Sequence, residues 1–348
     1  MATWSEIESA LAAQSDLTSP QIRWAMNEIL NGRAGDEEIK KFLLGLKEKG
    51  ESAAEVSALV DEMYVHAQLI DIKDRAVDPV GTGGDGFNTI NISTAAAIVT
   101  TAAGARVVKH GNRAASSRSG AADVLQALGV NVNLSAAGVE ECVRKIGIGF
   151  AFAPNFHPAM RHAAPVRKAL GVPTIFNILG PLANPARNKV VSIGVARSEL
   201  LNVVAEVLAL RGCEGFVFRG DEGLDEISIS GPSTIIAIKD GRFSATHFDP
   251  SEIGIEKYPI SELQGGDAQA NAADIRAVFE GAQGAKREAI LLNAAAAIAA
   301  FKGDFDLGVT AQLATGYAWA KSAIDSGKAL QLLERWADLS TELAKSSL

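Results

Sequence analysis

The sequence predicts an α/β protein with a small all-helical domain and a larger domain whose central sheet is mainly parallel. The first observation is a series of amphipathic helical patterns over residues 1–72, with no strand pattern between them. The second is an alternation of short apolar runs with helix-length segments over residues 73–348, which is typical of a parallel sheet. A length of 348 residues fits two such domains.

The first domain is predicted from helix-start and helix-stop signals. A helix begins at Ser19, because proline follows it and is favoured in a first turn, and Gly32 ends it. Asp36 is predicted to cap the next helix. Ser52 and Glu55 then form the pattern of a capping box at the start of another.

The larger domain is predicted from alternating strand and helix patterns. Strand-like runs lie at 106–109, 130–132, 149–153, 190–195 and 215–219, and helical stretches lie at 94–103, 121–128, 136–146 and 199–210. A hairpin is expected around Asp240 and Gly241. The helical stretch 158–170 precedes a predicted loop at 176–185, so a segment near 158–190 is a candidate to rejoin the helical domain. The chain after 268 reads as helices packed on the sheet.

Composition limits the partners and the compartment. The net charge of −8 gives no indication of a nucleic-acid partner. The most apolar run, 289–301, is too short to cross a membrane and predicts a buried helix. Cys142 and Cys213 do not form a disulfide framework, and the amino terminus lacks a signal-peptide pattern, so we expect a cytoplasmic protein.

A glycine-rich segment at 78–86 is the first sign of chemistry. Its glycines match G-x-G-x-x-G, but a dinucleotide-binding fold needs a strand before them and a helix directly after. Pro79 is expected to interrupt any strand, 87–92 lacks a helical pattern, and Lys109 stands where an acidic residue is needed. We therefore favour a loop whose bare backbone N–H groups wrap a phosphate, with an ordinary tight turn as the alternative.

Two later segments add groups that bind anions. Residues 91–94 precede an alanine-rich helix, and Ser93 or Thr94 is either an N-cap or part of an anion site at the helix start. Residues 109–123 combine cations, hydroxyl side chains and glycines after a predicted strand. Because parallel sheets bind ligands at the carboxyl ends of their strands, we interpret this segment as a diphosphate site rather than a solvated basic loop.

These segments together carry a family resemblance. GTGGDGFNTINIST at 81–94, KHGNRAASSRSG at 109–120, NILGPLANP at 177–185 and GLDE at 223–226 resemble the anthranilate phosphoribosyltransferase family, and the resemblance covers nearly the whole chain. It implies two domains joined by a hinge, a fold similar to pyrimidine nucleoside phosphorylases, and a homodimer. It also implies magnesium-dependent transfer of the phosphoribosyl group of 5-phosphoribosyl 1-diphosphate to anthranilate in L-tryptophan biosynthesis.

The resemblance also implies site residues. The phosphoribosyl diphosphate site would comprise Gly81, Gly84, Asp85, Thr89, Asn91, Ile92, Ser93, Thr94, Lys109, His110, Gly111, Asn112, Arg113, Ala114, Ala115, Ser116, Ser117 and Ala121. Anthranilate would contact Gly81, Asn112 and Arg167, with His110 and Pro181 along its route, and Ser93, Asp225 and Glu226 would bind magnesium. Relatives often carry serine where this chain has Ala121, so only its backbone N–H is expected to bind.

The residues predict electrostatic catalysis without a covalent nucleophile. A transition state with oxocarbenium character and a leaving pyrophosphate need positive charge, which magnesium and Lys109 would supply, and His110 is an assisting candidate. The anthranilate amine is already uncharged at neutral pH, so no strong base is required. The alternatives are a pyrimidine nucleoside phosphorylase, an NAD(P) dehydrogenase, and an inactive relative that acts in a complex.

Overall fold

A computed structural model describes residues 2–114 and 118–346 of the chain. The helices are α1 (Trp4–Ala12), α2 (Ser19–Leu30), α3 (Asp36–Lys49), α4 (Ala53–Val65), α5 (Ile92–Ala102), α6 (Ala121–Ala127), α7 (Ala136–Ile146), α8 (Ala153–Phe156), α9 (Ala164–Leu170), α10 (Phe176–Leu182), α11 (Ser198–Leu210), α12 (Ala268–Phe279), α13 (Ala285–Lys302), α14 (Val309–Asp325) and α15 (Lys328–Ser346). The strands are β1 (Val77–Gly81), β2 (Val107–Gly111), β3 (Ile148–Phe152), β4 (Val190–Gly194), β5 (Glu214–Gly220), β6 (Ser233–Lys239) and β7 (Arg242–Phe248).

The strands form one sheet in the order β3-β2-β1-β4-β5-β6-β7. Strands β1 to β5 are parallel, and β6 and β7 are antiparallel. The predicted mainly parallel sheet is thus confirmed. So is the hairpin, whose Asp240 and Gly241 have φ angles of 51° and 73°. The chain builds outward from β1 through β2 to β3 and then crosses to β4 on the other side of β1. Ligands of open α/β sheets bind at such a reversal, beside the carboxyl ends of the strands.

The two faces of the sheet bury different helices. On one face, Val77 and Val107 share a hydrophobic cluster with side chains of α5 and α13, and the predicted buried helix at 289–301 is confirmed as part of α13. On the other face, Ile193 shares a cluster with α11 and with helices of the amino-terminal bundle. Val166 of α9 belongs to this second cluster, so the segment around α9 packs with the bundle.

The prediction that Pro79 interrupts any strand is wrong, because Pro79 lies inside central strand β1. Proline lacks an N–H group, and the register between β1 and β2 extends only from Val77 to Val107. Side chains replace the missing backbone bonds. Asn184 and Asn188 donate through Nδ2 to the Val108 carbonyl at 2.8 and 3.1 Å. The Asp78 carboxylate accepts from the His110 N–H at 3.2 Å.

Four local predictions are corrected. Residues 130–132 are not a strand, because the Asn131 N–H donates to the Ser340 hydroxyl at 2.9 Å instead of to a neighbouring strand. The loop predicted at 176–185 contains helix α10, and proline at position 181 is tolerated in its last turn. The helical stretch at 158–170 divides into a 3₁₀ turn at Pro158–His162 and helix α9.

The fourth difference from the sequence predictions lies at the helix caps of α3 and α5. Gly35 caps α3 and Asp36 follows inside its first turn. Asn91 precedes α5, so Ser93 and Thr94 lie in its first turn and do not cap it. The capping box of Ser52 and Glu55 is confirmed. Within residues 2–114 and 118–346, no helix combines the length and apolar character needed to cross a bilayer.

Candidate active site

The glycine-rich loop leaves the sheet at Gly81, the last residue of β1. The segment that carries Asp225 closes over this point. A Cβ atom at Gly81 would lie 2.3 Å from Asp225 Oδ2, and one at Gly194 would lie 1.7 Å from the Asp225 backbone oxygen. No side chain fits at such distances, so glycine at the ends of β1 and β4 lets the acidic segment pack against the sheet.

Two acidic side chains form the floor of this cleft. Asp225 and Glu226 lie in the connection between β5 and β6 and are only 9% and 7% exposed. The Gly83 N–H donates to Asp225 Oδ2 at 2.6 Å, and the Ser93 N–H donates to Glu226 Oε1 at 3.1 Å. The acidic pair therefore ties the glycine-rich loop to the first turn of α5.

Burial shifts the protonation of this pair. Burial, followed by the nearby Asp85 carboxylate, raises the pKa of Asp225 to about 8. Burial and the charge of Asp225 raise the pKa of Glu226 well above its usual range. Carboxylates held together in this way favour either a proton or a cation.

The donor set fits magnesium. The carboxylates of Asp225 and Glu226, with the hydroxyl of Ser93 close by, are hard oxygen ligands, and magnesium uses one or two carboxylates while keeping several waters. Among the residues that the structure describes, no group of three or more His, Cys, Asp or Glu side chains is arranged to enclose a metal ion. A magnesium ion held by two carboxylates keeps coordination positions for water or a substrate phosphate.

Lys109 brings a buried cation to the same cleft. Its side chain is 1% exposed, and Nζ donates to the Pro79 carbonyl at 2.6 Å and to the Ser93 hydroxyl at 3.2 Å. Burial lowers the pKa of Lys109, whereas the carboxylates of Asp78, Glu226 and Asp225 act in the opposite direction. Lys109 thus holds the first turn of α5 beside the acidic pair.

Asn91 links the two predicted phosphate segments. Its Nδ2 donates to the Ser119 carbonyl at 3.0 Å, and its Oδ1 accepts from Asn271 Nδ2 at 2.9 Å. Asn271 was not found from the sequence, since a lone asparagine in a helix carries no signal. Ile92 and Thr94 are both buried in the first turn of α5, and the apolar Ile92 can contribute only backbone groups to the cleft.

The remaining residues of the glycine-rich segment occupy its outer part. Gly84 has a φ angle of 82°, in the left-handed region that favours glycine. The Asp85 carboxylate accepts from the Phe87 N–H at 3.1 Å. Thr89 forms an isolated β-bridge with Gln264, which fixes the end of the loop before α5.

The second segment leaves β2 at Gly111 and is fastened by Asp123. The Asp123 carboxylate accepts from the N–H groups of Ala114 and Gly120, both at 3.0 Å, and from Arg113 Nη1 at 2.7 Å. The Ala122 N–H donates to the Asn112 carbonyl at 3.1 Å. Ala121 begins α6, and its Cβ lies 3.1 Å from the place where a Cβ at Gly111 would stand. The predicted site residues Ala115, Ser116 and Ser117 lie outside the described residues.

His110 faces the α8–α10 segment. Its Nδ1 lies 2.8 Å from the Gly180 carbonyl, and because a carbonyl can only accept, Nδ1 carries the proton. Nε2 is then an unprotonated acceptor, and it has no hydrogen-bond partner among the described residues. Burial is the main cause that lowers the pKa of His110, to about 3, and the electrostatic effect of the nearby His157 is the second. The two rings lie 5.2 Å apart, and His157 was not singled out from the sequence.

Arg167 lies in α9, and its guanidinium stands 5.5 Å above the Phe176 ring. Burial lowers the pKa of Arg167. No hydrogen bond joins Arg167 to Asn112 among the described residues. The structure thus gathers the predicted donor residues around the ends of β1 and β2, while Arg167 belongs to a separate helical segment.

Known families and structures match this architecture. Residues 73–330 match the model of a glycosyl transferase family α/β domain, and residues 5–67 match that of a glycosyl transferase family helical bundle domain. An anthranilate phosphoribosyltransferase of Rhodococcus jostii is 50% identical over 344 residues, which cover 99% of this chain and 95% of the relative.

Solved structures agree with the sequence comparison. The anthranilate phosphoribosyltransferase of Thermus thermophilus has a TM-score of 0.89 and 37% identity, covering 96% of this chain and 99% of that one. The Saccharomyces cerevisiae enzyme in complex with PRPP (5-phosphoribosyl 1-diphosphate) and Mg has a TM-score of 0.88 and 29% identity, covering 98% of both chains.

Proposed function

The chain belongs to the anthranilate phosphoribosyltransferase family, and we propose that its reaction takes place in the cleft above the ends of β1, β2 and β4. The chain is a glycosyltransferase of L-tryptophan biosynthesis. It transfers the phosphoribosyl group of 5-phosphoribosyl 1-diphosphate to anthranilate, giving N-(5-phosphoribosyl)anthranilate and pyrophosphate.

The proposed location of the reaction rests on one observation, which is that the acidic pair and Lys109 join three segments that are distant in the sequence. Asp225 contacts the Gly83 N–H, Glu226 contacts the Ser93 N–H, and Lys109 contacts the Ser93 hydroxyl. In this proposal the diphosphate lies against the glycine-rich loop and the first turn of α5. Lys109 and the backbone N–H groups then stabilise the charge that develops on the leaving pyrophosphate.

Magnesium is proposed to bind at Ser93, Asp225 and Glu226, a set whose buried carboxylates favour a cation. When bound, it neutralises the diphosphate charge and stabilises pyrophosphate as the leaving group. The yeast relative was solved in complex with PRPP and Mg, which supports magnesium as the ion. The residues of the chain itself hold the donor in place and orient its ribose toward the acceptor.

Anthranilate is proposed to approach from the α9–α10 side. Arg167 is placed to bind its carboxylate, and the neutral Nε2 of His110 offers an acceptor to its amine. Because the pKa of His110 is lowered to about 3, this ring acts as a hydrogen-bond acceptor rather than as a strong base. Catalysis then rests on positioning and electrostatics, with no covalent nucleophile.

The alternative of a pyrimidine nucleoside phosphorylase is less well supported. Identity of 50% over 344 residues to an anthranilate phosphoribosyltransferase favours the transferase. The NAD(P) dehydrogenase alternative needs a helix directly after the glycines, whereas a long loop separates β1 from α5.

We also propose that the chain works in the cytoplasm as a homodimer. Two buried free cysteines support a reducing compartment. Light scattering after size exclusion should give twice the chain mass of 36.3 kDa. A mass of one chain would contradict the dimer.

The reaction and its location are tested by anthranilate fluorescence. The fluorescence should fall only when both 5-phosphoribosyl 1-diphosphate and magnesium are present. Asp225→Asn/Glu226→Gln should abolish the fall, because the substitution removes both carboxylates from a buried site. A control pair at exposed acids, Asp304→Asn/Asp306→Asn, should retain full turnover. Turnover in the Asp225/Glu226 variant equal to wild type would place the metal elsewhere.

A further inference from the structure

A second cavity lies at the opposite edge of the sheet, where β1, β4 and β5 begin. Its volume is about 420 Å³. Side chains of α4 line one wall, and the ends of α10 and α11 with the starts of the strands line the other. None of the residues assigned above to the donor, to magnesium or to direct anthranilate contact lines this cavity, and only Pro181 was placed along the anthranilate route.

The mouth of this cavity carries cations without matching carboxylates. Arg187 and Lys189 are exposed, and neither forms an ion pair with any described residue. Arg211, deeper in the wall, pairs with Asp61 at 2.7 Å. Asp78 also lines the cavity, and its two oxygens accept hydrogen bonds from the His110 N–H and from Asn184. The lining thus carries three cations, Arg187, Lys189 and Arg211, against two carboxylates, Asp61 and Asp78. The excess charge is positive and lies at the mouth on Arg187 and Lys189, although Lys189 Nζ also donates to the Arg211 carbonyl at 2.6 Å.

Tyr64 holds the cationic side chains in place. The Arg187 guanidinium lies 4.9 Å and the Arg211 guanidinium 5.4 Å from the centre of the Tyr64 ring. Arg187 adopts a φ angle of 51°, a left-handed conformation that is strained for a residue with a side chain. A strained backbone that presents an unpaired guanidinium at a cavity is a feature that binding sites use.

One wall of the cavity is apolar. Leu182, Val191 and Leu208 line it and are buried, whereas the buried Asp78 and Asn184 line the cavity beside them. A cavity of about 420 Å³ that combines an apolar wall with polar groups has the size of a small-molecule site. The apolar wall favours an organic body, and the cations favour a negatively charged head group.

We propose that this cavity is a second binding site, which takes a small amphipathic organic anion between the helical bundle and the sheet. The head group is a carboxylate or a phosphate monoester, held by Arg187 and Lys189, and the aromatic or aliphatic body lies against the apolar wall. Because α4 forms one wall and the sheet the other, the occupant bridges the two parts of the chain.

Fluorine NMR of the full chain tests the proposal with three probes. These are 4-fluorobenzoate, 4-fluorophenyl phosphate and the neutral 4-fluorobenzyl alcohol. We expect at least one anion to bind wild type more tightly than the alcohol, and the preferred anion identifies the head group. Arg187→Asn/Lys189→Gln should raise its Kd about 10-fold or more, since charge-assisted hydrogen bonds are lost. Asparagine is chosen because it tolerates the left-handed backbone.

Two further variants keep the result specific. Val65→Trp should block the cavity without unfolding the chain, because Val65 lines it and is 71% exposed. Arg167→Gln removes the proposed anthranilate contact and should leave this binding unchanged. Turnover by the double and Val65 variants shows that they are folded. Absence of anion binding to wild type, equal binding of the alcohol, or unchanged Kd in the Arg187/Lys189 or Val65 variants would overturn the proposal.

Discussion

The donor and acceptor halves of the candidate active site are built in different ways. The donor half consists of segments that directly follow strands β1, β2 and β5. Hydrogen bonds accepted by the carboxylates of Asp225 and Glu226, and one donated by Lys109 Nζ, hold these segments together. The acceptor half shares Gly81 and Asn112 with these segments, but its Arg167 lies on α9, which packs with α10 and the helical bundle in a separate hydrophobic cluster. The donor half is therefore fixed by the sheet, whereas the acceptor half follows the position of a helical segment.

The largest loss of activity is expected when the segment that carries Asp225 and Glu226 is displaced from the end of β4. Gly194→Ala should lower turnover by about 100-fold or more, because the new Cβ would lie 1.7 Å from the Asp225 backbone oxygen and must displace it. Gly231→Ala is the matched control, since nothing lies within 4 Å of a Cβ there. Steady-state fluorescence kinetics measures both. Wild-type turnover in Gly194→Ala would contradict the described packing.

Removal of the buried cation should weaken the donor half by a comparable step. Lys109→Met keeps the length of the side chain but removes the charge, and kcat should fall about 100-fold to 1,000-fold. Lys239→Met at the half-exposed hairpin serves as the control and should change kcat little. A loss confined to KM for the donor, with kcat unchanged, would mean that Lys109 binds the ground state and the transition state equally.

The acceptor half should respond separately. Arg167→Gln should raise KM for anthranilate about 10-fold, because a charge-assisted contact to the carboxylate is lost. KM for 5-phosphoribosyl 1-diphosphate should stay within about two-fold, since Arg167 lies outside the donor segments. Equal rises in KM for anthranilate and for 5-phosphoribosyl 1-diphosphate would show that the donor and acceptor halves do not respond independently.

The smallest expected effect concerns His110 and pH. The unfolded chain protonates His110 near pH 6.5, but burial lowers the folded-state pKa to about 3. The folded state therefore binds fewer protons between these values, and the free energy of unfolding falls as pH drops from about 6.5. His110→Gln should flatten this slope in urea titrations and lower kcat less than 10-fold. An unchanged slope in His110→Gln would contradict a buried, neutral His110 ring.

The difference between the two halves also explains which candidate site residues could be predicted from the sequence. The donor segments are contiguous motifs after strands, so Gly81, Ser93 and Lys109 could be found by pattern and chemistry. Asn271 and Asp123 were missed, because their roles arise from contacts made only in the folded chain. The strands of the sheet were predicted apart from central strand β1, and residues 130–132 were wrongly predicted to form a strand.

That central strand was missed for a physical reason. Proline lacks a ladder donor, and sequence patterns consider backbone pairing alone, whereas side chains from 184 and 188 complete the pairing here. Helix α10 was missed because its glycine, proline and asparagine residues have low helical propensity, which tertiary packing overrides.

The proline in β1 also bears on how the protein is made. Strands β1 and β2 are synthesised early. The side-chain amides that donate to the Val108 carbonyl belong to Asn184 and Asn188, which are synthesised much later, just before β4. The nascent sheet therefore remains incomplete at its centre until β4 arrives and pairs with β1. Vectorial synthesis would thus give a late, cooperative closure, in which one event completes both the central pairing and the crossover that forms the cleft.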